Sequence, residues 1–317
     1  MEPPTLPLAP PSPHAASRKI GLALGSGASR GLAHIGVIQA LEERGVQVSI
    51  VAGTSMGAFV GSVYASGNLQ RLKRDFLAFD WKSIARLMDP VFPRSGLIDG
   101  QKVAAFMEDY ASHQMIEDLP MKFCAVATDL LTGAEAVLDS GGLSEAVRAS
   151  IAVPGLLTPV RRNGQILVDG GLVNPVPVSV VRSMGAERII AVDVSHDVLA
   201  SRLARIPDMA AEGAAAAGGA GLARLHEVLQ AMNSPVAAQL DAWLHKAQMP
   251  GVLDVLLSSL YIMQARIGHT NLAHSAPDLL IRPPVRSIRF MDFNRAEEII
   301  ELGYRAAKDA LTGWHDP

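Results

Sequence analysis

Val46-Gln47-Val48-Ser49-Ile50-Val51-Ala52-Gly53-Thr54-Ser55-Met56-Gly57-Ala58-Phe59-Val60-Gly61 is the stretch that decides the fold. Residues 46–52 are mostly apolar and β-branched, which predicts a buried strand. Gly53-Thr54-Ser55-Met56-Gly57 follows as G-x-S-x-G, and a small-residue helix runs out to about Ser66. A strand that turns sharply into a helix lifts a serine hydroxyl at the end of a sheet, the geometry called a nucleophile elbow. Gly53 and Gly57 suit such a turn because backbones pass close there. By itself the pattern also fits a tight turn with a serine N-cap. Residues 45–70 carry no charge, but Gly53, Gly57, Gly61 and Gly67 punctuate them. They therefore predict strand, turn and helix rather than a membrane span.

The same alternation extends outward. Strands are expected at 20–24, 123–128, 188–194 and 279–282, with a turn at 131–133 leading into extended residues 135–138. Helices are expected at 30–44, 69–79, 100–111, 143–150 and 175–184. Asn163-Gly164 marks a hairpin within 160–169. Asn294-Arg295-Ala296-Glu297 reads as a capping box opening a C-terminal helix. Strands alternating with helices predict an α/β fold whose mostly parallel sheet is covered on both faces.

Two segments break the rhythm. Residues 1–18 hold six prolines and read as a disordered leader, leaving 19–317 as one domain. Residues 210–223 are almost all Ala and Gly, which predicts a flexible insertion over about 197–252. The helix expected at 252–267 after it aligns Leu253, Leu256, Leu257, Leu260, Met263 and Ile267 on one face. That face would cover a core or contact lipid.

Composition excludes several function classes. The 317 residues are 49% hydrophobic and 19% charged, with a net charge of -3, which suits a globular chain. So even a balance argues against a nucleic-acid partner. One cysteine, Cys124, rules out an internal disulfide and a multi-thiolate zinc site, and its apolar surroundings read as core. The nine histidines form no metal signature, and no metal or other cofactor is expected. With no secretory signal and one thiol, a cytoplasmic location is expected, with peripheral membrane contact if the 252–267 face meets lipid.

The chemistry concentrates in three places. Ser55 is the candidate nucleophile. Gly25-Ser26-Gly27-Ala28-Ser29-Arg30-Gly31 lies between a strand and a helix, where successive N–H groups form an anion cradle. A dinucleotide fingerprint would need glycine at position 30 and an acidic end to the second strand, and neither is present. An oxyanion hole uses the same N–H groups, each donor being worth ~2.7–4 kcal/mol at a transition state. Asp169, in Asp169-Gly170-Gly171, follows a strand and is a candidate base. A Ser–His–Asp arrangement with His196, His269 or His274 can be written from the same chain.

Taken together and in order, these motifs resemble the patatin-like phospholipase family. The flanks Gly31-Leu-Ala-His-Ile-Gly-Val37, Arg148-Ala-Ser-Ile-Ala-Val-Pro-Gly155 and Leu167-Val-Asp-Gly-Gly-Leu-Val-Asn-Pro-Val-Pro177 look like its bacterial RssA-type branch. The resemblance runs over about 19–193. It implies a three-layer α/β/α fold and lipid acyl ester hydrolysis by a Ser–Asp dyad without histidine. Ser55 is then the nucleophile and Asp169 the general base, with Gly170 and Gly171 completing the second motif. Gly27 and Ala28 would supply the oxyanion donors in a loop shaped by Gly25, Arg30 and Gly31. Ser26 and Ala28 stand where the family pattern has glycines, and alanine resists a positive φ. Those departures leave a second reading, a non-enzymatic regulatory or acyl-binding protein on the same fold. Head group, chain length and oligomeric state are not legible.

Overall fold

A computed structural model describes residues 18–87, 89, 96–111, 114–196 and 252–314. The Pro-rich leader up to residue 17 and the Ala/Gly-rich insertion at 197–251 lie outside the described residues.

The central sheet has eight strands: β1 (Ile20–Leu24), β2 (Val48–Thr54), β4 (Lys122–Asp129), β5 (Glu135–Leu138), β7 (Val160–Arg162), β8 (Gln165–Asp169), β9 (Arg188–Val192) and β10 (Leu279–Ile281). Their order is β10-β9-β1-β2-β4-β8-β7, with β5 also paired to β4. The five strands from β10 to β4 are parallel, while β5, β8 and β7 join antiparallel. A second, two-stranded sheet pairs β3 (Gly96–Ile98) with β6 (Gly155–Leu157).

Burial on both faces explains the uniformly apolar strands. Leu22, Leu24, Val51 and Ala125 turn to one core. That core is covered by α1 (Ala33–Glu43), α2 (Met56–Ala65), α3 (Leu69–Leu77), α5 (Gln101–Ala111), α6 (Leu143–Ser150) and α9 (Ala296–Leu311). Ala23, Ile50, Ala52, Cys124 and Val126 turn the other way, onto α7 (Val178–Ser183) and Leu272 of α8 (Val252–His274). The result is the expected α/β/α layering. Cys124 is fully buried there, and burial pushes its thiol pKa up, as a core residue requires. No helix among the described residues is long and apolar enough to cross a membrane.

Several expectations shift. The second strand runs two residues further than its apolar pattern, to Thr54, because its pairing with β4 continues to Thr54 opposite Val126. The first helix begins at Ala33, since Ala28–Leu32 winds as a 3-10 helix. The Pro-initiated helix begins at Val178. Asn163-Gly164 makes the hairpin as read, both residues at positive φ (48° and 81°). The short α4 (Trp81–Leu87), β3 and β6 carry no periodic signal long enough to find.

Two expectations are corrected. No capping box opens the C-terminal helix: its N-cap is Arg295, without a side-chain cap. A 3-10 helix at Phe293–Arg295 displaces the start, and Arg295 instead grips Glu298 at 2.7 and 2.8 Å. The stripe on α8 is not one buried face. Leu256 and Met263 are exposed, and the buried line is Leu260, Tyr261, Gln264 and Leu272. On that line the polar side chain of Gln264 meets the glycine-rich loop.

Candidate active site

The topology brings two chain-distant motifs to one point. The Ala125–Val126 part of β4 pairs with both β2 and β5, so these lie on opposite edges. At Ala127 and Thr128, β8 pairs opposite β5, and therefore shares the β2 edge. It runs against β2. Thr54 ends β2 opposite Val126, and Asp169 ends β8 opposite Ala127. One residue step along a strand, about 3.3 Å, separates those positions. Gly170 fits between the tips because it has no side chain. A Cβ there would stand 2.1 Å from the Val126 carbonyl oxygen and 3.1 Å from Thr54 Cγ2.

Ser55 caps α2 with φ 57° and ψ −122°, a conformation that L-residues rarely adopt. Its neighbours enforce the turn. A Cβ on Gly57 would lie 2.1 Å from the Leu24 carbonyl oxygen, and one on Gly53 would lie 2.4 Å from Ala58 N. A brace at 150–152 holds the elbow and the aspartate together. The Ser55 N–H donates to Ser150 Oγ at 2.9 Å, Ser150 donates to the Val126 carbonyl at 2.6 Å, and the Asp169 N–H donates to the Ala152 carbonyl at 2.9 Å. Ser150 was not singled out from the sequence, although it sits in the Arg148–Gly155 run.

Asp169 is 1% exposed. Its Oδ1 accepts the Gly171 N–H at 2.7 Å, while Oδ2 is buried and meets no donor at full hydrogen-bond geometry among the described residues. Burial pushes its pKa up to about 6, partly offset by the nearby Ser55 side chain and the Gly171 N–H. A Cβ on Gly171 would strike Gln264 Nε2 at 2.4 Å and Asp169 Oδ1 at 2.8 Å.

The glycine-rich loop lies across from this pair. Gly25 and Ser26 donate to the Val192 and Pro175 carbonyls. Gly27 is extended at φ 178°, and Ala28 sits at φ 48°, the left-handed conformation that alanine resists. Neither the Gly27 nor the Ala28 N–H is taken by a hydrogen bond among the described residues. The strain is held from two sides. Arg30, 4% exposed, donates to the Gly27 carbonyl at 3.4 Å and lies 4.6 Å over the Tyr261 ring. Ser29 donates to the Phe290 carbonyl through N–H and to the Arg289 carbonyl through Oγ at 2.6 Å. Gly31 presses on Met56, where a Cβ would meet Met56 Cγ at 2.3 Å.

Two further residues belong here that sequence reasoning missed. Ser26 Oγ donates to Gln264 Oε1 at 3.3 Å, tying α8 to the loop. His34 is fully buried, its Nε2 bonds the Gly25 carbonyl at 2.8 Å, and burial lowers its pKa to about 4. Gln264 has no local motif to mark it, and His34 lies in the Gly31–Val37 flank with nothing there to show its role. Of the histidines proposed for a triad, His269 and His274 are exposed and His196 bonds the Asp193 carbonyl. None of these lines a cavity with Ser55.

Two cavities meet at Ser55, Ala28, Val153 and Phe290. The smaller one also holds Ser26, Gly27, Asp169 and Gln264, beside Leu257, Leu260 and Tyr261. The larger, of about 150 Å³, is lined by apolar side chains apart from Ser55 itself. Ser55 thus stands between a chamber of mixed character and a greasy one.

An NTE family protein of Mycobacterium tuberculosis, described as uncharacterized, is 34% identical over 93% of this chain and 92% of its own length. Human patatin-like phospholipase domain-containing protein 6 is 32% identical over 93% of this chain, which spans 20% of that protein. Lysophospholipase NTE1 of Meyerozyma guilliermondii is 28% identical over 93% of this chain and 19% of its own. A family model described as Patatin-like phospholipase matches residues 22–182, and with these relatives it establishes that the chain belongs to the patatin-like phospholipase family.

Proposed function

We propose that this protein is a serine-dependent lipid acyl ester hydrolase working through Ser55 and Asp169. The observation that carries the reading is the convergence of Ser55 with a buried carboxylate whose second oxygen has no donor of its own among the described residues. A relative named as a lysophospholipase supports a lipid substrate.

In this mechanism the Ser55 hydroxyl gives its proton to Asp169 as Oγ attacks the ester carbonyl carbon. An ordinary aspartate is a weak base, and a pKa raised to about 6 makes this one a better match for neutral pH. The carbonyl oxygen becomes an oxyanion, and the Gly27 and Ala28 N–H groups, unpaired among the described residues, are the donors this reading assigns to it. Collapse breaks the ester C–O bond, and the alcohol leaves with the proton from Asp169. Water then attacks the acyl-Ser55 carbonyl, passing a proton to Asp169. The acid is released as Ser55 recovers its proton.

The test is hydrolysis of 4-nitrophenyl butyrate and of a lysophospholipid by Ser55→Ala and Asp169→Asn. Both should lose at least about 1,000-fold in kcat. A fluorophosphonate should label wild type and not Ser55→Ala. Lipid binding without labelling or turnover would favour the non-enzymatic reading. Loss on replacing a histidine alone would favour a triad.

A further inference from the structure

Six of the chain's eight phenylalanines, Phe59, Phe76, Phe79, Phe106, Phe290 and Phe293, line the 150 Å³ cavity beside Ser55. Aromatic residues make up only 5% of the chain, and these six come from segments up to 234 positions apart, so chance dispersal does not gather them. Five of the rings lock one another. Phe76 touches Phe59, Phe79, Phe106 and Phe293 at centroid separations of 6.4, 5.0, 6.1 and 6.2 Å. Phe106 also meets Phe59 at 6.1 Å and Phe79 at 5.9 Å. Each ring limits its neighbours' movement, so this wall yields only by repacking several side chains at once.

We propose that this cavity is the acyl-chain subsite and that its size selects short acyl groups, of about six to eight carbons. The proposal rests on the reading of Ser55 as the residue that is acylated. Ser55 and Ala28 border both cavities, and of the two only this one has the room and the apolar lining for a chain whose carbonyl is held at Ser55. Among the described residues no charged side chain lines it, which suits hydrocarbon better than a charged head group. A dry apolar cavity of about 150 Å³ takes one benzene, which is about six carbons. With the carbonyl carbon outside at Ser55, the acyl group that fills it has about seven. Each methylene entering the cavity gains about fourfold in affinity. Methylenes beyond its capacity gain nothing and must force the ring wall.

The experiment is a series of 4-nitrophenyl esters from acetate to dodecanoate, each below its micelle concentration, on wild type, Phe79→Ala and Phe79→Leu. For wild type, kcat/KM should climb to hexanoate or octanoate and fall at least tenfold by dodecanoate. Phe79 is half-buried, so its replacement can open the wall while the core ring Phe76 stays. Phe79→Ala should raise the dodecanoate-to-hexanoate ratio at least tenfold. Phe79→Leu, which keeps more bulk if the alanine variant folds poorly, should raise it less. A kcat/KM still rising through dodecanoate, or a Phe79 change that scales all esters equally, overturns the length selection and leaves the Ser55 reading standing. No turnover of any ester, with no fluorophosphonate labelling, overturns both.

Discussion

Ser55 and Asp169 follow and end two strands that run head-on toward each other along one edge of β4. A parallel strand and an antiparallel one, 114 positions apart in sequence, stop where they would collide, and Gly170 occupies the gap. The mixed character of the sheet is therefore what forms the pair. Were β8 parallel to β4, its C-terminal residue would point away from the serine.

The pH profile of hydrolysis should carry one acid limb near pH 6. Asp169 must be ionised to accept a proton, and burial has raised its pKa to about 6. Below that, kcat/KM should fall about tenfold per pH unit. A limb centred below pH 4.5 would show a carboxylate in a wetter setting than this.

Asp169→Asn should make the fold more stable at pH 7.5 and leave it unchanged near pH 3. The native pKa lies above the reference value of 3.8, so between those values the folded state holds the proton more tightly. Wild-type stability contributed by this group is thus lost as pH rises through 3.8 to 6, by up to ~3 kcal/mol. Asparagine escapes that loss and can still accept the Gly171 N–H. Urea unfolding of both proteins at the two pH values measures the difference.

Ala28→Gly should stabilise the protein by ~1 kcal/mol, because Ala28 holds φ 48° and glycine removes the Cβ clash. The increase in melting temperature is the readout. A decrease would mean that the loop does not hold this conformation.

Gly57→Ala should be among the most damaging single-methyl changes, costing ~3 kcal/mol or more. The new carbon would stand 2.1 Å from the Leu24 carbonyl oxygen and 2.7 Å from that of Gly25, and backbone cannot step aside as a side chain can. Soluble yield and melting temperature report it.

Ser150→Ala should cost ~1–3 kcal/mol by leaving the buried Ser55 N–H without its acceptor. Turnover should fall with it, while the acid limb stays near pH 6, since Ser150 does not touch the Asp169 carboxylate. A shifted limb would show that the brace acts on the base instead.

Much of this was legible in the residues. Ile20–Leu24, Lys122–Asp129 and the Asn163-Gly164 hairpin follow from apolar runs and turn residues, whose preferences are local. The α8 stripe misled because Leu256 and Met263 are apolar yet exposed, while polar Gln264 is buried against Ser26. Periodicity records side-chain type and not what lies opposite. Asn294 misled for a related reason: a 3-10 helix, set by packing before α9, moved the helix start past it.

The sequence by itself determined the α/β alternation and the strained elbow at Ser55, because sterics within a few residues enforce both. Tertiary structure alone decided that Asp169 arrives at Ser55, that its carboxyl is dry enough for a pKa of about 6, and that six phenylalanines wall one cavity. Desolvation and ring packing depend on groups that meet only once the chain has folded, so no spacing along the chain can encode them.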